Sequence, residues 1–177
     1  NEVSTPPAYA ADGTTEIGTY SIDPATGQVT FTPTDKSYTG QVTPVKVQAE
    51  SSNGIKVDTT YTPEIVPVTP TATPAETTDI QGATQTGKPE FKGGTVTVDG
   101  VEKTVEINED VPATFDDGST TKTVDGVGTY TVAADGTVTF VPEKSFVGTA
   151  PAVMVVREDK NGTKASATYT PTVTPVT

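Results

Sequence analysis

Apolar and polar residues alternate along much of this chain. In Gln28-Val29-Thr30-Phe31-Thr32, Val29 and Phe31 fall on one side and Thr30 and Thr32 on the other. That period of two predicts a half-buried β-strand. Tyr20 and Ile22 set up the strand before it, and Pro24-Ala25-Thr26-Gly27 reads as the intervening turn. Pro44–Glu50 leads into Asn53-Gly54 and Ile55–Tyr61 returns, which predicts a second hairpin. Further along, Tyr130 and Val132, Asp135-Gly136, then Val138 and Phe140 repeat the first hairpin. Here Asp-Gly predicts a tight type I′ turn. Gly94–Val98, Asp99-Gly100 and Val101–Ile107 predict one more hairpin. Sustained 3.6-residue periodicity is absent, and Pro and Gly interrupt every stretch long enough for a helix.

The elements recur because the chain is internally duplicated. GTYSIDPATGQVTFTPTDKSYTG from Gly18 matches GTYTVAADGTVTFVPEKSFVG from Gly128. Val45 and Val47 align with Val153 and Val155, Asn53-Gly54 with Asn161-Gly162, and Tyr61-Thr62-Pro63 with Tyr169-Thr170-Pro171. Each copy is a module of about a hundred residues, the size of a domain and larger than a solenoid unit. The reading is residues 1–68 for a first, N-terminally truncated repeat and 69–177 for a second, complete one. Asp12-Gly13 is set against Asp117-Gly118, and Pro7-Ala8 against Pro112-Ala113. Nothing in the first copy matches Phe91–Glu109, and the chain opens on Asn1, as an excised segment would. The stretch Val66–Pro74, with Pro every three or four residues, is read as an extended polyproline-II or edge-strand junction. The fold expected is all-β: tandem, mostly antiparallel β-sandwich repeats joined by a short Pro/Thr-rich junction. Val153-Met154-Val155-Val156 is apolar on both faces, so Met154 and Val156 are expected to pack under Phe91–Ile107 or against a neighbouring module.

Composition narrows the chemistry. The 177 residues include 38 Thr and 24 Val, which favours strands, and no Cys, His or Trp. Disulfides, thiol nucleophiles and the commonest metal ligand are therefore absent. A net charge of −12 opposes nucleic-acid binding and attraction to anionic lipid. No apolar run approaches the ~20 residues of a membrane-spanning helix.

The ordered pattern G-T-Y-x-[IV], G-x-V-T-F-x-P, K-S-[YF]-x-G, N-G and Y-T-P resembles the CshA-type fibril repeat. That repeat belongs to cell-wall-anchored surface adhesins of streptococci and related Gram-positive bacteria. The residues carrying it are Gly18, Tyr20, Gly27, Phe31, Pro33, Tyr38, Gly40, Asn53, Gly54, Tyr61 and Pro63. In the second copy they are Gly128, Tyr130, Gly136, Phe140, Pro142, Phe146, Gly148, Asn161, Gly162, Tyr169 and Pro171. The resemblance implies β-sandwich modules of an extracellular stalk that projects a distal adhesive region from the cell wall.

Candidate sites each have a plain structural alternative. Asp116-Asp117-Gly118 and Glu158–Gly162 offer oxygens to calcium, but neither has EF-hand spacing, and turn chemistry is preferred. Asn108 with Lys103 or Lys122 could form an intramolecular isopeptide bond of the kind found in Gram-positive stalks. Asn161-Gly162-Thr163 fits a glycosylation acceptor, with the hairpin turn preferred. Tyr20, Phe31, Tyr38, Tyr61 and their counterparts could stack on sugars, with core packing preferred. No S-x-x-K or G-x-S-x-G motif supports a hydrolase. No catalytic, cofactor or metal residue is assigned, and the chain is expected not to be an enzyme. The reading is a monomeric structural spacer whose partners are the neighbouring repeats of its own chain, with host proteins or glycans engaged through other regions. The alternative is repeats that themselves bind a host glycan or matrix protein.

Overall fold

The computed structural model describes residues 5–177, which divide into two compact units, one up to Pro67 and one from Val68. Every regular element among the described residues is a strand. The first unit carries β1 (Pro7–Tyr9), β2 (Glu16–Ile22), β3 (Val29–Pro33), β4 (Gly40–Gln41), β5 (Val45–Glu50), β6 (Lys56–Tyr61) and β7 (Glu64–Ile65). β1, β2 and β3 form one antiparallel sheet; β5 pairs with β6 and β4 with β7. Ala8, Ala10, Ile17, Tyr20 and Val42 are the buried core.

The second unit begins with β8 (Thr71–Thr73), β9 (Ala75–Ile80), β10 (Gln85–Gly87) and β11 (Glu90–Lys92). It continues with β12 (Gly94–Val98), β13 (Val101–Val105), β14 (Thr114–Phe115) and β15 (Thr121–Val124). β16 (Gly128–Val132), β17 (Val138–Pro142), β18 (Gly148–Thr149), β19 (Val153–Glu158) and β20 (Lys164–Thr174) complete it. One sheet runs β10-β17-β16-β15; the other runs β14-β19-β20-β18, with β9 added to β20. They sandwich a core that includes Phe115, Tyr130, Val138, Phe140, Val155, Tyr169 and Val173. β12 and β13 form a separate hairpin, and the Pro/Thr stretch contributes β8, which pairs with β11.

The duplication is repeated in register. Tyr20 lies opposite Phe31 and Tyr130 opposite Phe140. The ring centroids are 5.6 and 4.8 Å apart. Gly18 and Gly128 lie opposite Pro33 and Pro142.

Four details correct the sequence reading. Pro7 pairs with Thr19, as Thr123 pairs with Thr129, so β1 takes the place of β15 and Pro7-Ala8 does not correspond to Pro112-Ala113. The hairpin at Asp135-Gly136 is not type I′. Ala133 N–H bonds the Thr137 carbonyl, Gly136 N–H bonds the Ala133 carbonyl, and only Gly136 has positive φ. That is a three-residue loop with glycine in the left-handed position, and Asn53-Gly54 and Asn161-Gly162 follow the same scheme. The type I′ geometry occurs instead at Asp99-Gly100, where φ is 51° and 76°. Met154 is exposed at 38%, because Val153, Val155 and Arg157 take the inward positions of β19. Val156 is half-buried on the outer side opposite Thr114 of β14, and β12 and β13 pair only with each other. One strand departs from antiparallel order: β9 pairs parallel to β20, from Ala75 opposite Tyr169 to Ile80 opposite Thr174.

The two cores differ in size, and each fully buried aliphatic or aromatic side chain contributes about 1.5–3 kcal/mol. Denaturant unfolding, followed by tyrosine fluorescence and amide hydrogen exchange, should therefore show two transitions. Amides of residues 16–61 should open first, at several kcal/mol less than those of β16, β17 and β20. A single coincident transition across all amides would contradict this.

Candidate functional site

Of the acids proposed as calcium ligands, Asp117 and Asp159 accept hydrogen bonds within their own turns, and Asp116 pairs with Lys122. Asp117 Oδ1 accepts hydrogen bonds from Ser119 N–H (2.9 Å) and Ser119 Oγ (2.6 Å), which hold its carboxyl below the usual range. Asp12 does the same with Thr15 and Thr14, its pKa brought down to about 2 by the Thr15 bonds first. Asp159 Oδ1 accepts from Asn161 N–H and Thr163 N–H at 2.9 Å, fixing the Asn161-Gly162 turn. Among the described residues no group of three or more acids is placed to hold a metal ion.

The isopeptide candidates are not brought together. Asn108 Oδ1 accepts from Asp110 N–H, an Asx turn, and Lys122 Nζ donates to Asp116 Oδ1 at 2.8 Å. Lys103 is exposed on β13. Of the aromatics proposed to stack on sugars, Tyr130, Phe140 and Tyr169 have no exposure and Tyr20 has 4%, whereas Phe31, Tyr38, Tyr61 and Phe146 are half-buried.

What the aromatics do is tie strands to loops. The Tyr20 hydroxyl donates to the Thr43 carbonyl at 3.0 Å, and Tyr130 donates to the Pro151 carbonyl at 2.7 Å. Both close the same joint of the sandwich. Burial first, and then the neighbouring Tyr169, push the Tyr130 hydroxyl up to about 12. A phenol whose folded pKa is raised stabilises the fold in full below its unfolded value near 10, and that contribution disappears as pH rises toward 12. The melting temperature of the second unit, followed by circular dichroism, should therefore fall as pH rises from about 10 to 12. Tyr130→Phe should flatten that fall while costing about 1 kcal/mol at neutral pH through the lost hydrogen bond. An unchanged fall in the variant would show that Tyr130 does not drive it.

Sequence reading missed the segment that completes the second unit. In β9, Thr77 Oγ1 donates to Gln85 Oε1 (2.6 Å) and lies 2.5 Å from the Tyr169 hydroxyl. Gln85 Nε2 donates to the Thr172 carbonyl at 2.9 Å, so this buried amide is satisfied at both ends. Gly87 sits on the Tyr169 ring so closely that an added Cβ would lie 2.7 Å from Cδ2. The segment thus covers Tyr169 with Thr, Gln and Gly. Its only sequence signal is the Gly-bounded polar run Gln81–Gly87, which carries no apolar alternation.

Geometrically, β9 comes near the start of the second unit and β20 at its end, and they run side by side in the same direction over six residue pairs. Tension entering before β9 and leaving after β20 slides the two strands along each other. In that geometry the ladder bonds share the load instead of opening one at a time.

Among the described residues the first unit shows no such cover. Tyr61, Phe31, Val29 and Ile65 are half-buried, whereas their counterparts Tyr169, Phe140, Val138 and Val173 are fully buried. A cleft of about 200 Å³ opens between the two hairpins, lined by Tyr20, Ile22, Val29, Val45 and Val47 among others.

Comparison with known proteins agrees with the duplication. The model of the surface adhesin CshA repetitive domain matches residues 5–65 and again 67–173. The NMR structure of repeat domain 13 of the fibrillar adhesin CshA from Streptococcus gordonii is 58% identical. It covers 38% of this chain and 86% of its own, with a TM-score of 0.23. No curated protein matches. With two successive matches that together take in nearly all of the chain, this protein belongs to the family of CshA surface adhesin repeats.

Proposed function

We propose that the chain is a pair of load-bearing spacer modules in the stalk of a cell-surface adhesin, anchored to the cell wall through its parent protein. The observation that carries this reading is the parallel pairing of β9 with β20. It puts the beginning and the end of a repeat in shear when the chain is drawn out. The surroundings support a passive mechanical role: Asp117 and Asp159 bond within their own turns, and Phe115, Tyr130, Phe140 and Tyr169 lie in the second unit's core. The lack of Cys, His and Trp leaves an exposed polymer with little reactive chemistry. A net charge of −12 sets neighbouring stalks apart through mutual repulsion at low salt.

Stretching single chains from their two ends tests the reading. The spacer role expects the second unit to rupture in one high-force event carried by residues 75–177. The competing reading, repeats that themselves bind a host glycan or matrix protein, has a separate check. Immobilised fibronectin, mucin or salivary glycans should retain none of the pair. Saturable submicromolar binding to any of them would overturn the spacer as the primary role.

A further inference from the structure

Asn or Asp precedes Gly at Asp12, Asn53, Asp99, Asp117, Asp125, Asp135 and Asn161. Such pairs are chemically fragile, because glycine has no side chain to keep its amide nitrogen away from the neighbouring side-chain carbon. The structure divides them into two kinds of turn. At Gly13, Gly54, Gly118, Gly136 and Gly162 the glycine is the fourth residue of its turn, and its own N–H closes the turn. The acceptors are the carbonyls of Ala10, Ser51, Phe115, Ala133 and Asp159, at 2.8 or 2.9 Å. At Asp99-Gly100 and Asp125-Gly126 the glycine is the third residue instead. Val127 N–H closes the second of these onto the Val124 carbonyl at 3.0 Å, and Gly126 has a φ of 78°, the type II arrangement. Asp99-Gly100 is the type I′ turn between β12 and β13. Among the described residues Gly100 N–H and Gly126 N–H close no turn, and both pairs are exposed.

We infer that Asp99-Gly100 and Asp125-Gly126 are sites of spontaneous main-chain isomerisation, and that folding protects the other five turns from the same chemistry. At Asp125 the Gly126 nitrogen gives up its proton and bonds to Asp125 Cγ, and water leaves with one carboxyl oxygen. Water then reopens the five-membered imide at one of its two carbonyls. Attack at Cγ restores aspartate. Attack at the main-chain carbon leaves isoaspartate, with the chain running through the side-chain carbon. At Asn53 and Asn161 the same ring closure expels ammonia. In the five closed turns the attacking nitrogen is already engaged, so the turn must open first. Bonds from Thr15, Ser119 and Thr137 also hold the Asp12, Asp117 and Asp135 carboxyls below their usual range, which depletes the protonated form that loses water. The placement confines the damage. β15 is the edge of its sheet and β12 pairs only with β13, whereas the protected turns at Asp135 and Asn161 join β16 to β17 and β19 to β20, around the core. The inference concerns chemical ageing and stands whether or not the stalk bears load.

The test ages the full chain in water labelled with heavy oxygen, once folded at neutral pH and once unfolded in guanidinium chloride. Each ring that reopens takes up one label, and peptide mapping by mass spectrometry assigns the label to a turn. Folding should slow uptake at least about tenfold at Asp12, Asn53, Asp117, Asp135 and Asn161, the factor that one turn bond can supply. At Asp99 and Asp125 the folded and unfolded rates should agree within about threefold, because exposed turns without that bond open at little cost. Asp125→Glu, whose longer side chain cannot close a five-membered ring, should end uptake in its turn. Three results would each overturn the inference. One is tenfold protection at Asp99 or Asp125 as well. Another is the absence of protection at any of the five closed turns. The last is label persisting in the Asp125→Glu turn, which would mean plain carboxyl exchange without a ring.

Discussion

Replacing Gly128 with valine should unfold the second unit at temperatures where the parent is intact. A Cβ at this position would lie on the Val141 carbonyl oxygen, 2.8 Å from Pro142 Cα and 2.9 Å from the Phe140 ring. Two of these three obstacles are backbone, which cannot rotate away. The third is a fully buried ring held against Tyr130 at a centroid distance of 4.8 Å. Relief requires β16 and β17 to separate at the centre of their sheet. Overpacking of this kind with backbone displacement costs about 3 kcal/mol or more. A domain of this size holds only roughly 5–15 kcal/mol in total, and each kcal/mol is worth about 4–8 °C. The melting temperature of the second unit should fall by at least about 12 °C. The control is Gly126→Ala, at a position with nothing within 4 Å and a φ of 78°. It meets only the left-handed backbone penalty of about 1–2 kcal/mol. Thermal scans by circular dichroism read both variants. A Gly128→Val protein within 1 kcal/mol of the control would show that the joint is softer than its distances indicate.

The second large effect concerns force. Stretched from its ends, the second unit should resist until the β9–β20 ladder shears as one. The rupture force should then fall sharply when that ladder is broken. Gln81 N–H donates to the Thr174 carbonyl, and by alternation Asp79 also turns its N–H toward β20. Asp79→Pro removes that donor at an exposed side-chain position, so the core beneath is undisturbed. Equilibrium stability should change by about 1–2 kcal/mol, whereas forced unfolding, which is set by the barrier, should accelerate by at least tenfold. Attaching the load across the β16–β17 turn instead, so that the hairpin unzips, should give a low force unaffected by Asp79→Pro. Equal forces in the two pulling directions would sink the shear argument.

Much of this was legible in the chain, and for identifiable reasons. Val29 and Phe31, and Tyr130 and Val132, alternate with polar residues, so their strands and inward faces could be read directly. The hairpin loops announced themselves through glycine, although the loop length at Asp135-Gly136 was misjudged because the left-handed residue there is Gly136 alone. β9 and β10 left no such trace. Their inward residues are Thr77 and Gln85, which satisfy each other and the buried Tyr169. A polar inward face erases the alternation that a strand normally shows. The reading of Met154 failed for the opposite reason. Its side chain is apolar yet points outward, and apolarity alone does not say which side of a strand is covered. As for the candidate calcium acids, Asp117 and Asp159 accept hydrogen bonds within their own turns. The greater exposure of Phe31 and Tyr61 than of Phe140 and Tyr169 became visible only when two copies of one fold could be compared residue by residue.

The pairing of β9 with β20 also sets the order of events during synthesis and export. Thr77 and Tyr169, which meet in the fold, are 92 residues apart in the chain. The strand that emerges early in a repeat must wait for nearly the whole repeat before its partner exists. Closing so long a loop makes folding slow, in the millisecond-to-second range of sheet proteins dominated by distant contacts. In a tandem array the wait has a hazard, because the Tyr-Thr-Pro of the preceding copy is already present when the next β9 segment appears. Divergence between adjacent β9–β10 segments would then be a safeguard against pairing with the wrong neighbour, and arrays of identical repeats should misassemble more often than mixed ones.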